Sequence, residues 1–482
     1  MYKNQYIITD KNITPPSDSN SFKIGKFSLY TSKEIPISIS NNKKIILLGY
    51  TFHCYNQSSE KKIVNKLSQL ENEEFLEEID FLCGHYILFR HKQQINIYTD
   101  ASSSFKVFYG ESNKNTFIGS DPRILNKYSN FILQTSKEEK IFYESDYFLK
   151  NKIKIGHHTR YKDMYQLISN HKLLIENLTS ERIFPREKRL EISMQNAKDK
   201  LVPIFENILT KIEKKYTIFS SITAGYDSRL LMSATKKISH KIQYYTFQLP
   251  EKSKNFIDYT LPKSICSNLQ LKYITIKISE LDSNTKNEIE NIYDLPKEKP
   301  FQQYKDIFPE NEKPNILLVG FVSEIAKNYL ERVKIRNGKD MVRANHYPDN
   351  KYLEKYYQKW LDKNKKIIGN LGYETLDFLH WEQDITNFAG QNTYYAHHYV
   401  NLFSIFNSRE IIKIMLSVGI NHRDGKNTEF FRYLINSMWP ELLNYPFNPT
   451  KKDKIILFMK KIKIYAFYKY LQIKLRKYGE IK

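Results

Sequence analysis

Residues that could bind phosphate are concentrated in one short stretch, SSITAGYDSRLL at 220–231. A strand-like run leads into a turn of small residues, and a helical pattern follows with Asp227 and Ser228 near its start. Small residues let backbone N–H groups approach phosphate closely, and a helix N-terminus favours an anion. Thr223 and Ser228 add hydroxyl donors, and the Asp227 carboxylate could hold Mg²⁺. The stretch therefore predicts a phosphate site with a metal ion.

The turn is neither of the two common glycine-rich nucleotide loops. No lysine follows the glycine, which excludes GxxxxGK[ST], and the spacing of GxGxxG is absent. Taken alone, the turn would also suit any strand-to-helix connection of a doubly wound sheet.

The elements that must position this turn alternate between strand and helix. Helical periodicity spans 190–213, where Pro203 is expected to kink or split the helix. Strands are predicted at 217–222, 243–248, 271–278 and 315–320, and the chain reads as mainly helical beyond about 350. This alternation predicts a parallel sheet with helices on both faces.

The first half of the chain has a β-rich pattern instead. Strands are predicted at 44–52, 84–90, 95–100, 106–110 and 116–120, and a helical region at roughly 60–80. The stretch LTSERIFPREKR near 180–190 combines proline with dense charge, as linkers do. We therefore predict domains at 1–185 and 186–450, followed by a basic tail at 451–482.

In its sequence the turn resembles the pyrophosphate loop of the ATP pyrophosphatases, usually Ser–Gly–Gly–x–Asp–Ser. Gly225, Asp227 and Ser228 match it, whereas Thr223 and Ala224 replace the serine and the first glycine. The segment 255–276 resembles the next part of that family, with Asp258 as the acid that opens a helix. The segment LLVGFVSE at 317–324 resembles the asparagine synthetase strand that ends in a glycine turn with acids, with Gly320 and Glu324 in register.

The N-terminal half is similar to the same family. Residues 84–125 resemble the glutaminase domain of asparagine synthetases, with Asp100 at the family's aspartate, and 155–175 resemble the segment that closes it. Gly156, Thr159 and His171 are in register there. The resemblance implies an N-terminal αββα glutaminase-like domain of the Ntn type, and a C-terminal doubly wound ATP pyrophosphatase domain with a helical C-terminal part.

The resemblance also implies a reaction, in which a carboxylate is adenylated by ATP and an amine or ammonia then attacks the acyl-adenylate. The metal ligands would be Asp227 and Glu324. The catalytic residues would be Lys426 and Glu324. Arg423 or Arg432 could take the place of Lys426. All three cations could also be ordinary surface charges. The implied ATP-binding residues are Thr223, Ala224, Gly225, Tyr226, Asp227, Ser228, Phe247 and Gly320.

Two departures limit what can be carried over from the family. Tyr2 stands where the glutaminase nucleophile would be a cysteine, and Leu48 and Tyr50 replace the glutamine-binding Asn and Glu. Cys83 is expected to be a core residue, so the domain is predicted to be a scaffold without glutaminase activity. In the segment that binds the aspartate substrate in asparagine synthetases, Val400 and Leu402 replace the Glu and Arg that contact it. The substrate is therefore expected to be another carboxylate.

Several alternatives remain open at this stage. β-Lactam synthetases and lasso-peptide cyclases share the architecture and join an internal amine to a carboxylate, and a non-catalytic descendant would only bind a partner. The pairs His157–His158 and His397–His398 could bind a ligand, but hydrogen-bonded histidines without that role are commoner. An acidic or lipid-linked sugar of surface polysaccharide synthesis is a candidate substrate.

The net charge of +22 is concentrated at the C-terminus, where 451–482 carry eleven Lys or Arg against two acids. No RNA-binding signature accompanies it, so a specific nucleic-acid partner is not expected. The tail could be an amphipathic helix in contact with an anionic membrane, or the last helix of the synthetase domain. Three scattered cysteines and the absence of a signal-peptide or membrane-spanning pattern predict a cytoplasmic protein, with peripheral contact at the inner face of the membrane as an option.

Overall fold

The N-terminal half contains two antiparallel sheets of six strands each. The computed structural model describes residues 1–134, 136–249, 252, 256–305, 308–309, 311–327, 335–423, 428–448, 464–465, 467–468 and 470. The first elements in chain order are β1 (Tyr6–Thr9), β2 (Ser19–Ile24), β3 (Phe27–Ser32), β4 (Ile37–Ile39), β5 (Ile45–His53), α1 (Glu60–Leu67), α2 (Asn72–Asp80), β6 (Leu82–His91), β7 (Ile95–Thr99), β8 (Phe108–Ser112), β9 (Asn115–Gly119), α3 (Pro122–Tyr128), α4 (Lys137–Tyr143), α5 (Asp146–Asn151), β10 (Met164–Gln166), β11 (His171–Leu174) and β12 (Thr179–Arg182). The strand orders are β10-β8-β9-β1-β3-β2 and β12-β11-β7-β6-β5-β4.

Alternation along the strands explains why these sheets form layers. In β5, Ile46 and Leu48 pack between the two sheets, while Ile45 and Leu47 pack against α1 and α2 on the outer face. The outer face of the other sheet is covered by α3. Both faces of each sheet are thus buried, which gives the αββα arrangement expected from the sequence.

The second half is built around a five-stranded parallel sheet. Its elements in chain order are α6 (Met194–Lys215), β13 (Thr217–Ser221), α7 (Tyr226–Ala234), β14 (Ile242–Gln248), α8 (Ile257–Asn268), β15 (Tyr273–Lys277), α9 (Ser283–Ile292), α10 (Glu298–Tyr304), β16 (Asn315–Leu318), α11 (Gly338–Ala344), α12 (Lys351–Asn370), α13 (Thr375–Leu379), α14 (Ala389–Ala396), β17 (Asn401–Phe403), α15 (Arg409–Ser417) and α16 (Glu429–Met438). The strand order β15-β14-β13-β16-β17 runs outward in both directions from β13, which is the doubly wound arrangement. A π-helix at His380–Ile385 follows α13.

Two elements of this half make the sequence predictions more specific. Pro203 does not split α6, which is one helix of 22 residues, because its apolar face, including Leu201, Ile204 and Phe205, is fully packed in the core. The region beyond 350 is mainly helical, as predicted, and it also contains the short strand β17, which completes the parallel sheet.

The largest apolar core joins residues from both halves of the chain. Tyr50, Phe52 and Cys83 from the antiparallel sheets pack in the same cluster as Ile208 of α6 and Phe403 of β17. No helix within the described ranges is long and apolar enough to cross a membrane. Nearly all of the basic tail at 451–482 lies outside the described residues.

Candidate functional site

The turn predicted to bind phosphate lies at the point where the strand order of the parallel sheet reverses. The chain leaves β13 for β14 and β15 on one side, while β16 and β17 lie on the other. The turn at 222–225 follows β13, and Gly225 is the N-cap of α7. The carboxyl ends of β13 and β16 therefore flank this turn, which is where open α/β sheets bind their ligands.

Polar side chains hold the backbone of the turn in place. Ser228 Oγ accepts from the backbone N–H of Thr223 at 3.0 Å and lies 2.9 Å from Thr223 Oγ1. Asp258, in the first turn of α8, accepts from the Ala224 N–H at 2.8 Å. The structure thus brings Thr223 and Ser228, two of the residues predicted to bind phosphate, into contact, and the Asp258 carboxylate already binds one N–H of the turn.

Gly320 is where the turn after β16 meets α7. A Cβ atom at this position would lie 2.7 Å from the carbonyl carbon of Asp227, which is closer than packed atoms approach. Two residues later, the β-branched Val322 has a φ of +78°, a conformation that costs on the order of 1–3 kcal/mol. The close approach and the strained residue fix the position of Ser323 and Glu324 relative to Asp227.

Both carboxylate oxygens of Asp227 are bound. Ser323 Oγ donates to Oδ1 at 2.7 Å, and Lys327 Nζ donates to Oδ2 at 2.6 Å. Ser323 and Lys327 lie on the short helical turn Ser323–Lys327. Neither residue was among the predicted site residues. The only signal for Lys327 was its position three residues after Glu324, one helical turn away.

Glu324 lies close enough to Asp227 for the two carboxylates to repel each other. Burial, followed by the charge of Asp227, raises the pKa of Glu324 to about 7, although Lys327 acts in the opposite direction. An additional positive charge placed between these two carboxylates would lower the electrostatic repulsion between them.

The residues present fit Mg²⁺. Asp227 and Glu324 are hard oxygen ligands, and the hydroxyl group of Ser323 lies 2.7 Å from Asp227 Oδ1. The described residues contain no group of three or more His, Cys, Asp or Glu that could hold a metal ion by themselves. Mg²⁺ usually binds through one or two carboxylates and completes its shell with phosphate oxygens and water, which suits this pair. Lys327 would then have to share Asp227 with the metal ion.

Phe247 lies near the end of β14, the strand next to β13. Its half-buried ring packs edge-on against Tyr304 at 5.5 Å and Tyr245 at 5.1 Å. It therefore lies at the same edge of the sheet as the turn, where an aromatic face could contact a nucleobase.

The segment Tyr445–Asn448 packs over the turn and the start of α7. Phe447 stacks on Tyr226 at 4.1 Å and lies under the guanidinium of Arg229 at 3.5 Å. Arg229 donates to the carbonyl oxygens of Ala224 and Tyr445, at 2.7 and 2.8 Å. One aromatic ring and one buried arginine thus connect the loop to a segment more than 200 residues away in sequence.

The three candidate catalytic cations have different positions. Lys426 lies outside the described residues. Arg423 is buried in an ion pair with Asp377 at 2.9 Å, so the Asp377 carboxylate already balances its positive charge. Arg432 lies on α16 with its guanidinium 5.4 Å from the ring of Phe447, beside the segment that covers the turn.

Leu48 and Tyr50, which stand where the family resemblance places glutamine binding, are part of the core. Leu48 is buried between the sheets, and Tyr50 donates to His397 Nε2 at 3.1 Å while the rings of His85 and His397 stack at 3.6 Å. Burial lowers the pKa of both histidines, which keeps them neutral. His398 is hydrogen-bonded as well, to Tyr293. The expectation of hydrogen-bonded histidines at 397 and 398 is therefore confirmed.

Asp100 organises the contact between the two halves. It is buried and accepts from the backbone N–H groups of Ser102 and Ser104 and from Asn407 Nδ2, at 3.0–3.1 Å. Cys83 is fully buried, as expected for a core residue. On the acceptor side, Leu402 is buried in β17 and Val400 is half-buried.

Comparisons with known proteins give only distant similarity. No family model matches the chain, and no curated protein matches it. Among solved structures, glutamine phosphoribosylpyrophosphate amidotransferase from B. subtilis, complexed with ADP and GMP, is 7% identical, with 68% of this chain and 71% of that chain covered and a TM-score of 0.22. Glutamine-dependent NAD⁺ synthetase from Acinetobacter baumannii, in complex with ADP, is 16% identical over 36% of this chain and 33% of that chain, with a TM-score of 0.21.

A third structure, described as the allosteric regulatory enzyme of purine biosynthesis, is 8% identical over 66% of this chain and 68% of that chain, with a TM-score of 0.23. TM-scores of this size do not establish a common fold. The fold class therefore follows from the strand orders of this chain, and the site from its own contacts.

Proposed function

We propose that this protein forms amide bonds at the expense of ATP, by adenylating a carboxylate that an amine or ammonia then attacks. The observation that carries the proposal is the position of Asp227 and the turn 222–225 at the reversal point of the sheet, opposite Glu324. The carboxylate oxygen would attack the α-phosphorus, and the bond from that phosphorus to pyrophosphate would break. The amine would then attack the acyl carbon, and AMP would leave.

In this proposal each part of the site has a separate task. The backbone of 223–226 with Ser228 binds the departing pyrophosphate, Phe247 contacts the nucleotide, and Gly320 lets the two turns meet. Asp227 and Glu324 hold Mg²⁺, which supplies charge neutralisation of the phosphates. Lys426 provides the additional cation, with Arg432 as the alternative because Arg423 is already paired with Asp377.

We further propose that residues 1–185 form a scaffold without glutaminase activity. The burial of Leu48 and the hydrogen bond from Tyr50 to His397 support this, because neither side chain is available to bind glutamine. Nitrogen would come from free ammonia, from ammonia made by a partner, or from an amine on a second substrate. An intramolecular reaction, as in β-lactam synthetases and lasso-peptide cyclases, remains an alternative.

The carboxylate substrate is proposed to be an acidic or lipid-linked sugar in surface polysaccharide synthesis. The replacement of aspartate-reading residues by Val400 and the buried Leu402 supports a substrate other than free aspartate.

We propose a cytoplasmic location, with peripheral contact to the inner face of the membrane through 451–482. Flotation with anionic liposomes, comparing the full chain with a chain ending at Thr450, tests the membrane contact.

A second candidate function is a binding protein without catalysis. It is favoured by the contacts that already fill the site, namely Asp258 on the Ala224 N–H, Lys327 on Asp227 and Phe447 over Tyr226. A ligand would have to displace these contacts. Exchange of label between pyrophosphate and ATP separates the two candidates.

The deciding experiment measures ATP–pyrophosphate exchange with a panel of carboxylates. Asp227→Ala should abolish exchange because it removes one of the two carboxylates proposed to hold Mg²⁺. Asp199→Ala is the matched control, since Asp199 is an exposed acid on α6 away from the turn. Undiminished exchange in Asp227→Ala, with a normal melting temperature, would show that the turn is not the catalytic site.

A further inference from the structure

A second cleft, separate from the pyrophosphate turn, lies between α12 and the antiparallel sheets. Its volume is about 740 Å³, within the range of small-molecule sites. Three histidines line it, His157, His158 and His171, together with Tyr165 from β10. Tyr352, Tyr356 and Trp360 from α12 pack behind and beside the histidines, spaced one helical turn apart.

The hydrogen-bond network fixes the tautomers of the two adjacent histidines. Tyr356 donates its hydroxyl proton to Gln383 Oε1, so it can only accept from His157 Nδ1 at 3.1 Å. Tyr143 donates to the carbonyl of Thr159, so Tyr352 donates to Tyr143 and accepts from His158 Nδ1 at 2.8 Å.

His171 reaches the same state by a different contact. Its Nδ1 lies 2.9 Å from the carbonyl oxygen of Ser169, which can only accept. In all three histidines the proton therefore resides on Nδ1, and Nε2 is a hydrogen-bond acceptor. Burial lowers the pKa of His157 to about 3 and those of His158 and His171 to about 4, so the rings stay neutral at physiological pH.

The three Nε2 atoms have no hydrogen-bond partner among the residues that the structure describes. Nor do the described residues place three such groups close enough together to hold a metal ion. Separated neutral acceptors at the wall of a cleft are suited to a ligand with several hydroxyl donors.

Lysines at the mouth of the cleft add positive charge. Lys355, Lys359 and Lys363 follow one another at intervals of four residues on α12 and are exposed. Lys355 lies 3.8 Å from Glu138 on the opposite rim, which offsets its charge. Within the described part of the chain, Lys359 and Lys363 have no carboxylate at ion-pair distance, and they are the cations available to a ligand.

We propose that this cleft binds an anionic sugar, whose hydroxyl groups donate to the three histidines and whose carboxylate or phosphate contacts Lys359 and Lys363. Tyr165, which is 37% exposed, provides an aromatic surface for the sugar ring. The inference does not depend on catalysis at Asp227, because binding to the cleft requires neither ATP nor amide formation.

The test measures direct binding to the full chain without nucleotide. Glucuronate, galacturonate and glucose 6-phosphate are titrated by calorimetry and by saturation-transfer NMR, against glucose, inorganic phosphate and citrate. We expect an acidic sugar to bind at least about ten-fold more tightly than glucose, because charge-assisted contacts with lysine are lost with the neutral sugar.

Two variants identify the site. The double substitution Lys359→Met with Lys363→Met should weaken binding of the acidic sugar about ten-fold, whereas Lys365→Met with Lys366→Met, on exposed positions of the same helix outside the cleft, should leave it unchanged. His171→Phe should weaken binding of the acidic sugar and leave weak binding of inorganic phosphate unaffected.

Three results would overturn the proposal. The first is that no acidic sugar binds at millimolar concentration, and the second is that phosphate or citrate binds as tightly as the sugars. The third is binding that is insensitive to the substitutions at 359 and 363. Melting temperatures of all variants establish that each chain is folded.

Discussion

At the scale of single residues, the site depends on how closely two turns approach each other. Gly320 allows this approach, because any side chain there would meet the backbone of Asp227 at 2.7 Å. Asp227 in turn is held by Ser323 and Lys327, both on the segment that follows Gly320. The orientation of the proposed metal ligand is therefore set by a residue that has no chemistry of its own.

We predict that Gly320→Ala destabilises the protein by about 1–3 kcal/mol, the usual cost of forcing an extra group into a packed site. It should also lower ATP–pyrophosphate exchange, because Asp227 must move. Gly369→Ala is the matched control, since nothing lies within 4 Å of its Cβ position in α12, and it should stabilise the chain by roughly 0.5–1 kcal/mol. Urea unfolding measures both changes, and equal stabilities for the two variants would contradict the packing at Gly320.

Leu48 and Tyr50, which stand where the family resemblance places glutamine binding, lead to a second prediction. Because Leu48 is buried in the core and Tyr50 is bonded to His397, the purified protein should release no glutamate from glutamine. Glutaminase assays with and without ATP check this. Turnover above background that survives Asp227→Ala would mean that the N-terminal half retains a catalytic site.

At the scale of elements, the segment Tyr445–Asn448 acts as a cover for the start of α7. Phe447→Ala should cost about 1–3 kcal/mol, since the ring stacks on Tyr226 and supports the guanidinium of Arg229. The exposed Leu190→Ala is the control and should change stability by less than about 0.5 kcal/mol. Thermal and urea unfolding of the two variants would give equal midpoints if the segment did not pack on the turn.

The length and burial of each element decided how well the sequence predicted it. Strands β5 and β6 were found because they are long and apolar on both faces, whereas β10 and β17 have only three residues, too few to display a period. The turn between β13 and α7 was predictable because its residues are contiguous, and its binding of pyrophosphate stays a prediction. Lys327 was not, because its contact with Asp227 joins residues 100 positions apart.

The same limit applies to the histidine cleft. His157 and His158 were recognised as a pair, but the tyrosines that fix their tautomers are 194–199 residues away on α12. The pattern of neighbouring residues in the sequence carries no information about partners that lie so far away along the chain. The division of the chain at 185 and 450 stays a prediction.

At the scale of the whole molecule, buried histidines should make the protein sensitive to acid. Burial lowers the pKa to about 3 for His85 and His157 and to about 4 for His158, His171 and His398, and lowers that of His397 as well. The unfolded chain binds protons at these sites near pH 6.5, whereas the folded chain does not. The free energy of unfolding should therefore decrease as the pH falls from about 6.5 towards 4.

Other groups oppose this trend but do not cancel it. The pKa values of Asp121 and Glu324 are each raised to about 7, mainly by burial, which favours the folded state at lower pH. The histidines with large shifts are more numerous. Urea unfolding at pH 7, 6 and 5 measures the slope, which should be shallower for His158→Gln, and a stability that rises towards pH 5 would contradict the prediction.

The core shared by the two halves has a consequence for how such a chain can change over time. Asp100 is held by Asn407, and Tyr50, Phe52 and Cys83 are packed with Ile208 and Phe403. Removal of the first 185 residues would expose these apolar surfaces to water, whereas a single substitution would leave most of the shared core covered. Side chains of the N-terminal half can therefore change one at a time, whereas loss of the whole half would leave an apolar face of the second half uncovered.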